Sequence, residues 1–403
     1  MAPVSFSLFA RNFNLSTTPP LFTNQLNNPT DIFSVLLILG GDVVNRAIAQ
    51  LAGPRVTPVA FSFGWVAYIM TALVTVIGEH RLMPLPDSPC HVINGKTGYV
   101  RTNRSWILGR MMRDYEVWMD LRIRRHVQDM LTRRWDKMRE EAERHRPGSG
   151  KMIARPKRAG LCVSVYRAER AQIGRHAYDW LWYLGLVTAG VQLGIAAIPL
   201  GVEGDWSVML VTGAGIGLSI ATGSLRQWSR EKWACRGETR KTVVLTRGNG
   251  SQHAIVIVGD GKGLDLEDLA AGPGEMEDTK LSRMTQAVVT VLAVLWTLLL
   301  ILAAGSTMHT WFLLAVGAVG IAENILVAGS PRMPAAYGVH LAFQEVIGEA
   351  KVMDTLFAVE KAYPHVGRSM LDTFFPGKLR SKELARWEEL GQLADAMEKS
   401  LKE

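Results

Sequence analysis

Apolar and polar positions divide the chain into long uncharged runs separated by segments as charged as any protein surface. The clearest run is Met284–Met308 (MTQAVVTVLAVLWTLLLILAAGSTM), which lacks a charged residue and over Val288–Leu302 is apolar on every helical face. A helix needs roughly 20 apolar residues to cross about 30 Å of hydrocarbon, and a helix with no polar face suits lipid. Thr310–Ala328, Trp180–Val202 and Trp206–Leu225 repeat the pattern. Val56–Gly78 does so with Pro58 in its first turn, where a missing N–H costs little. Asp31–Ala52 is ambiguous, because its apolar first half runs into Gly40-Gly41 and then Asp42, Asn45 and Arg46. The pattern predicts an all-α membrane bundle of about six transmembrane helices, paired as hairpins over 31–78, 178–225 and 284–328.

The polar segments read differently. Residues 1–30 are rich in Asn, Thr and Pro and predict a flexible tail. Within 79–177, a Pro-rich loop and a turn-rich stretch precede a long amphipathic helix from about Ser105 to His145, whose apolar spacing slips in phase between Trp118 and Ile123. Leu161–Arg167, Thr242–Arg247 and Gln252–Val258 alternate or are β-branched, the last two around Gly248-Asn249-Gly250-Ser251, a hairpin signal. A lone hairpin is marginal in water, so the three predict one small sheet in an α+β module built from 79–177 and 226–283. Residues 329–403 predict a helical tail, with amphipathic helices near Val339–Ala362 and Ser381–Lys402.

Charge decides sidedness. The net charge of +8 would suit nucleic acid, but Lys and Arg in a membrane protein report mainly which loops stay cytosolic. Lys and Arg outnumber Asp and Glu two to one over 79–177, while the turns near Glu203, Asp205 and His309 carry almost no positive charge. The expectation is an integral membrane protein with both termini and both large segments in the cytosol, and no nucleic-acid partner. Cys90, Cys162 and Cys235 form no metal or disulfide pattern and read as free thiols in reducing cytosol. Asn14, Asn103 and Asn249 sit in N-x-S sequons that this orientation leaves unglycosylated.

Candidate chemistry is sparse. Asp42, Asn45 and Arg46 form an intramembrane polar group, with Asp42 and Arg46 one helical turn apart; it is read either as a mid-membrane transport site or as an internal ion pair. Glu323 and Asn324 lie near the end of the last span, where they could meet Glu79, His80 and Arg81 at the cytosolic interface; the group is read either as a proton relay or cation site or as ordinary helix-end capping and salt bridging. Arg122, Arg124, Arg125, Arg133 and Arg134 make the long helix a candidate surface for anionic cytoplasmic lipid, each cation being worth roughly 1 kcal/mol there. The same helix packed on the protein's own domain is the alternative. In Val211–Ser224, Gly213/Gly217 and Gly217/Ala221 have small-xxx-small spacing, which predicts close helix packing rather than a nucleotide loop. No catalytic set, metal-ligand spacing or cofactor motif is legible.

With DIFSVLLILGGDVVNRAIAQLAG, FSFGWVAY, NGKTGYVRTNRSWILGR, LTRGNGSQHAIVIV and VAGSPRMPAAYGVHL in view, the chain resembles a group of multi-pass membrane proteins from filamentous fungi over residues 31–376. That group has no known activity. The resemblance therefore implies a fungal membrane protein and transfers no site. The expected function is a non-enzymatic scaffold or regulator presenting a cytosolic module to a protein partner, with a transporter or channel built on Asp42, Asn45 and Arg46 as the alternative.

Overall fold

The computed structural model describes residues 30–145, 153–174, 178–272, 279–306 and 308–400. The helices that build the bundle and clasp the sheet are α1 (Thr30–Leu51), α2 (Gly64–Glu79), α3 (Trp106–Arg113), α4 (Leu121–His145), α5 (Trp180–Glu203), α6 (Ser207–Gly223), α7 (Arg226–Lys232), α8 (Thr279–Gly305), α9 (Thr310–Gly329), α10 (Val352–Ala362) and α11 (Ser381–Ser400). The strands are β1 (His91–Asn94), β2 (Val100–Thr102), β3 (Cys162–Ala168), β4 (Thr242–Thr246), β5 (His253–Val258) and β6 (Leu341–Gly348).

Among the described residues only three helices, α5, α9 and the Arg283–Gly305 part of α8, are long and apolar enough to cross a membrane. A fourth exists if α6 and α7, which meet at 41°, count as one broken span. The expectation of about six spanning helices is therefore wrong, chiefly because Val56–Gly78 is not one helix. Residues 56–62 are non-helical, Phe63 turns the chain into α2, and α2 begins only at Gly64 and is 16 residues long. Pro54 and Pro58 keep Gly53 and Thr57 out of the helical region, since that is where the residue before a proline is disfavoured, and the bundle holds the residues that follow.

This extended segment is threaded through the middle of the bundle. Thr57, Val59, Ala60, Phe61, Ser62 and Phe63 are all buried. Thr57 donates to Gly223 O at the end of α6 (2.8 Å), whereas Phe61 lies against Gln192, Gly215 and Gly320, half-way along α5, α6 and α9. The segment thus enters from the end where α6 finishes and stops at mid-bundle. There α2 starts and returns toward the same end, with Trp65 stacked on Trp296 (5.5 Å) and Val76 O accepting from Gln286 Nε2. Irregular backbone at such depth is tolerated only when enclosed by protein, because each unpaired peptide group in hydrocarbon costs several kcal/mol.

The helices accommodate it with glycine. A Cβ on Gly185 of α5 would sit 1.7 Å from Pro58 O, and one on Gly320 of α9 would sit 1.8 Å from Phe61 O. On α6 the packing positions are Gly215, beneath the Phe61 ring, and Gly223, beside Thr57. Gly213 and Gly217 have nothing within 4 Å, so the small-residue face read from the sequence is the wrong face of that helix.

α1 runs parallel to α9: Gly40 approaches Ile321, and Gln50 Nε2 donates to Ser330 O. Its Thr30 end and the sheet therefore lie at opposite ends of the bundle, which does not support placing both termini on one face.

The sheet has six strands in the order β2-β1-β4-β5-β3-β6. β3 and β5 are parallel and every other pair is antiparallel. The three expected strands are its centre, but the sheet is twice the size expected. The turn-rich INGKTGYVRT stretch supplies the β1–β2 hairpin, and Leu341–Gly348, expected as helix, is the edge strand β6. Alternate residues serve opposite faces. Val163, Val165, Val244 and Val256 pack with Met353, Leu356, Val359 and Trp387 of α10 and α11. Cys162, Tyr166, Leu245 and Ile255 belong to a second core that continues into Trp65, Phe61 and Trp296 of the bundle. Sheet and bundle thus share one interior. The long basic helix breaks at the phase slip into α3, a single turn at Tyr115–Trp118, and α4.

Candidate functional site at the bundle–domain junction

The bundle meets the sheet domain where α1 and α9 end, and both ends are covered by buried cations. Lys232 of α7 donates from Nζ to Gln50 O (3.2 Å) and Ala52 O (2.8 Å). Arg110 of α3, wholly buried, donates to Ala328 O (2.7 Å) and pairs with Asp87 (2.7 Å). Arg332 donates to Gln50 O (2.9 Å) and pairs with Asp179 at the start of α5 (2.6 Å). The last carbonyls of a helix lack intrahelical donors and carry the negative end of its dipole, so cations are the natural partners. Trp106, Trp233 and Tyr337 surround the Lys232 ammonium at 5.1–5.5 Å, within cation–π range. Nearby, the buried Glu231 carboxylate accepts from Leu82 N (2.9 Å) and Met83 N (2.7 Å), tying the turn after α2 to α7.

Lys232 lies beyond the bend that separates α7 from α6, outside the three helices long and apolar enough to cross a membrane, and no carboxylate pairs with it among the described residues. Burial first, then the Arg332 and Arg110 charges, hold its pKa well below the usual lysine value of 10.5. Between that depressed value and 10.5 this lysine binds more protons in the unfolded chain than in the folded one, so its own contribution to stability rises with pH across this window. Lys232→Met is expected to remove that contribution, so that the wild-type curve gains on the variant's as pH rises. Melting temperatures of both proteins from neutral pH to about 10, in detergent, check it; parallel curves would refute it.

The polar residues singled out from the sequence separate into two groups. Asp42 and Arg46 do pair (3.0 Å), and Arg46 also comes within 4.0 Å of Asp87. They are half-exposed or more, and with Asn45, Tyr68, Thr71 and Arg81 they line a cavity of about 420 Å³ between α1, α2 and the loop after α2. The Asn45 Oδ1 and Tyr68 hydroxyl atoms are buried there without a partner. Arg81 pairs with Glu79 (2.6 Å), and His80 Nδ1 contacts Gln286 (3.2 Å).

Glu323 and Asn324 do not meet Glu79, His80 or Arg81. Both are buried at mid-bundle against the extended segment. Glu323 Oε2 accepts from Ala60 N (3.2 Å), and Asn324 Nδ2 donates to Ser62 Oγ (3.0 Å). With Gln192, which donates to Phe61 O (2.6 Å), they replace the hydrogen bonds that a helix would have made internally. Asn324 Nδ2 also reaches Ala60 O (3.4 Å), so all three side chains bond the segment's backbone.

The basic helix α4 turns its apolar face, Ile123, Val127, Met130 and Leu131, to the domain, with Met130 against Gly348 of β6. Arg122 pairs with Asp120 and stacks over Phe343 (4.1 Å); Arg124 bonds Glu116 O and Arg134 bonds Arg158 O. Arg125 and Arg133 remain at the surface. The three cysteines are free, and burial pushes each thiol up to about 12. Among the described residues no group of three or more His, Cys, Asp or Glu is placed to hold a metal ion.

Lys232, Arg110, Arg332 and their aromatic neighbours escape sequence reading, because basic residues flanking a span look alike whether they face water or cap a helix. Compared with protein-family models, with curated proteins and with solved structures, the chain finds no match in any of the three.

Proposed function

We propose that the protein is a non-enzymatic membrane scaffold or regulator that holds a mixed-sheet domain in one fixed pose at the cytosolic face of a membrane. The observation that carries this reading is the set of domain cations, Lys232, Arg110 and Arg332, on the carbonyl ends of α1 and α9. A domain needing only a tether would not bury three cations in its anchor, where each has a desolvation cost of several kcal/mol to offset. The continuous interior serves the same end. Spin labels on Asn249 of the β4–β5 turn and on Val202 at the far end of α5 are expected to give one narrow distance distribution in nanodiscs. A broad or bimodal distribution would reject a fixed pose. The cytosolic assignment rests on the charge asymmetry, and a glycan on Asn103 or Asn249 in a eukaryotic host would reverse it.

A transporter is the second reading, favoured by the cavity that reaches Asp42, Asn45 and Arg46. Asp42→Asn combined with Arg46→Gln tests it. The transport reading expects solute flux in proteoliposomes to fall by about tenfold or more, since an ionisable pair in a translocation path is seldom replaceable. Unchanged flux would dismiss it.

A further inference from the structure

A second cavity, of about 540 Å³, opens on the sheet domain between the end of α3 and the β4–β5 turn. Its walls carry three guanidinium groups, Arg113, Arg158 and Arg247, against one carboxylate, Glu116. Arg113 is engaged by Asp114 (2.6 Å) and Asp87 (3.5 Å). Arg158 and Arg247 have no carboxylate within salt-bridge distance among the described residues. The Arg247 side chain and the Arg158 backbone are each fixed by a hydrogen bond. Arg247 donates to Met112 O (2.9 Å), and the Arg158 carbonyl accepts from Arg134 (3.0 Å).

The floor is built with equal care. Gly248 and Gly250 have φ of +90° and +81°, a conformation that residues with a Cβ seldom adopt, and they shape the turn whose residues Asn249–Gln252 line the cavity. Ser251 N donates to Gly248 O and Ser251 Oγ donates to His253 O, which closes the turn. His253 stands behind with its ring edge-on to Tyr115 (5.2 Å), and its Nδ1 is buried without a partner. Burial lowers the His253 pKa, so a neutral imidazole faces the space at neutral pH.

We propose that this cavity binds a small phosphate ester bearing hydroxyl groups. Two guanidinium groups without counter-ions match the planar, paired recognition that phosphate oxygens favour. Glu116, also in the lining, is an acceptor for hydroxyl. Arg113 also donates to Gly329 O (3.3 Å) and Ser330 O (3.4 Å), so the cavity lies one side chain from the end of a spanning helix. A lipid headgroup and a soluble phosphate ester share this chemistry, and the inference does not depend on the scaffold reading.

The test uses the full chain in phosphatidylcholine nanodiscs. One arm titrates inositol trisphosphate, with inositol as the phosphate-free control. The other measures fluorescence quenching by labelled phosphatidylinositol phosphate in the disc. Saturable binding in either arm is expected, and the arm that responds identifies the source. Arg158→Gln with Arg247→Gln should weaken it by about tenfold or more, while Arg125→Gln with Arg133→Gln on the exposed face of α4 should change it by less than about twofold. Unchanged melting temperature in both pairs certifies folding. No saturable binding in either arm, or equal weakening by the two pairs, overturns the proposal.

Discussion

Gly320→Ala is expected to destabilise the bundle by about 3 kcal/mol or more, read as a loss of melting temperature in detergent micelles. The added methyl would meet Phe61 O at 1.8 Å, and a backbone oxygen cannot turn aside as a side chain can. Inserting a methyl into a packed interior ordinarily costs about 1–3 kcal/mol through shifted rotamers and backbone. Here the shift must displace the extended segment, and with it the hydrogen bonds from Gln192 and to Glu323 that satisfy its peptide groups. Gly185→Ala, against Pro58 O, should behave alike. Gly217→Ala is the matched control: with no neighbour within 4 Å it should be neutral or gain up to about 1 kcal/mol from helix propensity. If Gly217→Ala proved the damaging change and Gly320→Ala the silent one, the threaded segment would be wrong.

Arg110→Met is expected to cost about 3 kcal/mol, because it removes one partner of a buried ion pair and leaves the other desolvated. The guanidinium is wholly buried, the Asp87 side chain is 8% exposed, and Ala328 O loses its donor in the same step. Asp87 retains the more distant Arg113 and Arg46, which keeps the loss at the lower end of the range for such pairs. Combining Arg110→Met with Asp87→Leu should cost less than the sum of the two single changes, by about 1–3 kcal/mol, since residues that share a contact are not additive. Additive losses in chemical denaturation would mean that the pair contributes nothing specific. By contrast, breaking the half-exposed Asp42–Arg46 pair should change stability by no more than about 0.5 kcal/mol.

How far the chain could be read in advance differs from element to element. Uncharged runs such as Trp180–Val202 and Met284–Met308 were legible because a helix in lipid must be apolar all round, a property of composition that needs no partner. The three central strands were legible from β-branching around Gly248-Asn249-Gly250-Ser251. Leu341–Gly348 was not, because its polar Gln344 and Glu345 suit an edge strand and an amphipathic helix equally well. The Asp42–Arg46 pair was legible from spacing alone. The destination of Glu323 and Asn324 was not, since it depends on a backbone segment some 260 residues away in sequence.

Local pattern thus determined which stretches are greasy, which are charged, where a strand or helix is favoured and where proline interrupts. Those properties follow from each residue and its near neighbours along the chain. Only the tertiary structure decided that residues 59–62 stay non-helical at mid-bundle, which glycines of α6 face a neighbour, and that Lys232, Arg110 and Arg332 cap α1 and α9. Each of these is a choice between alternatives of similar local energy. It is settled by pairing a buried peptide group or charge with a partner that sequence distance conceals.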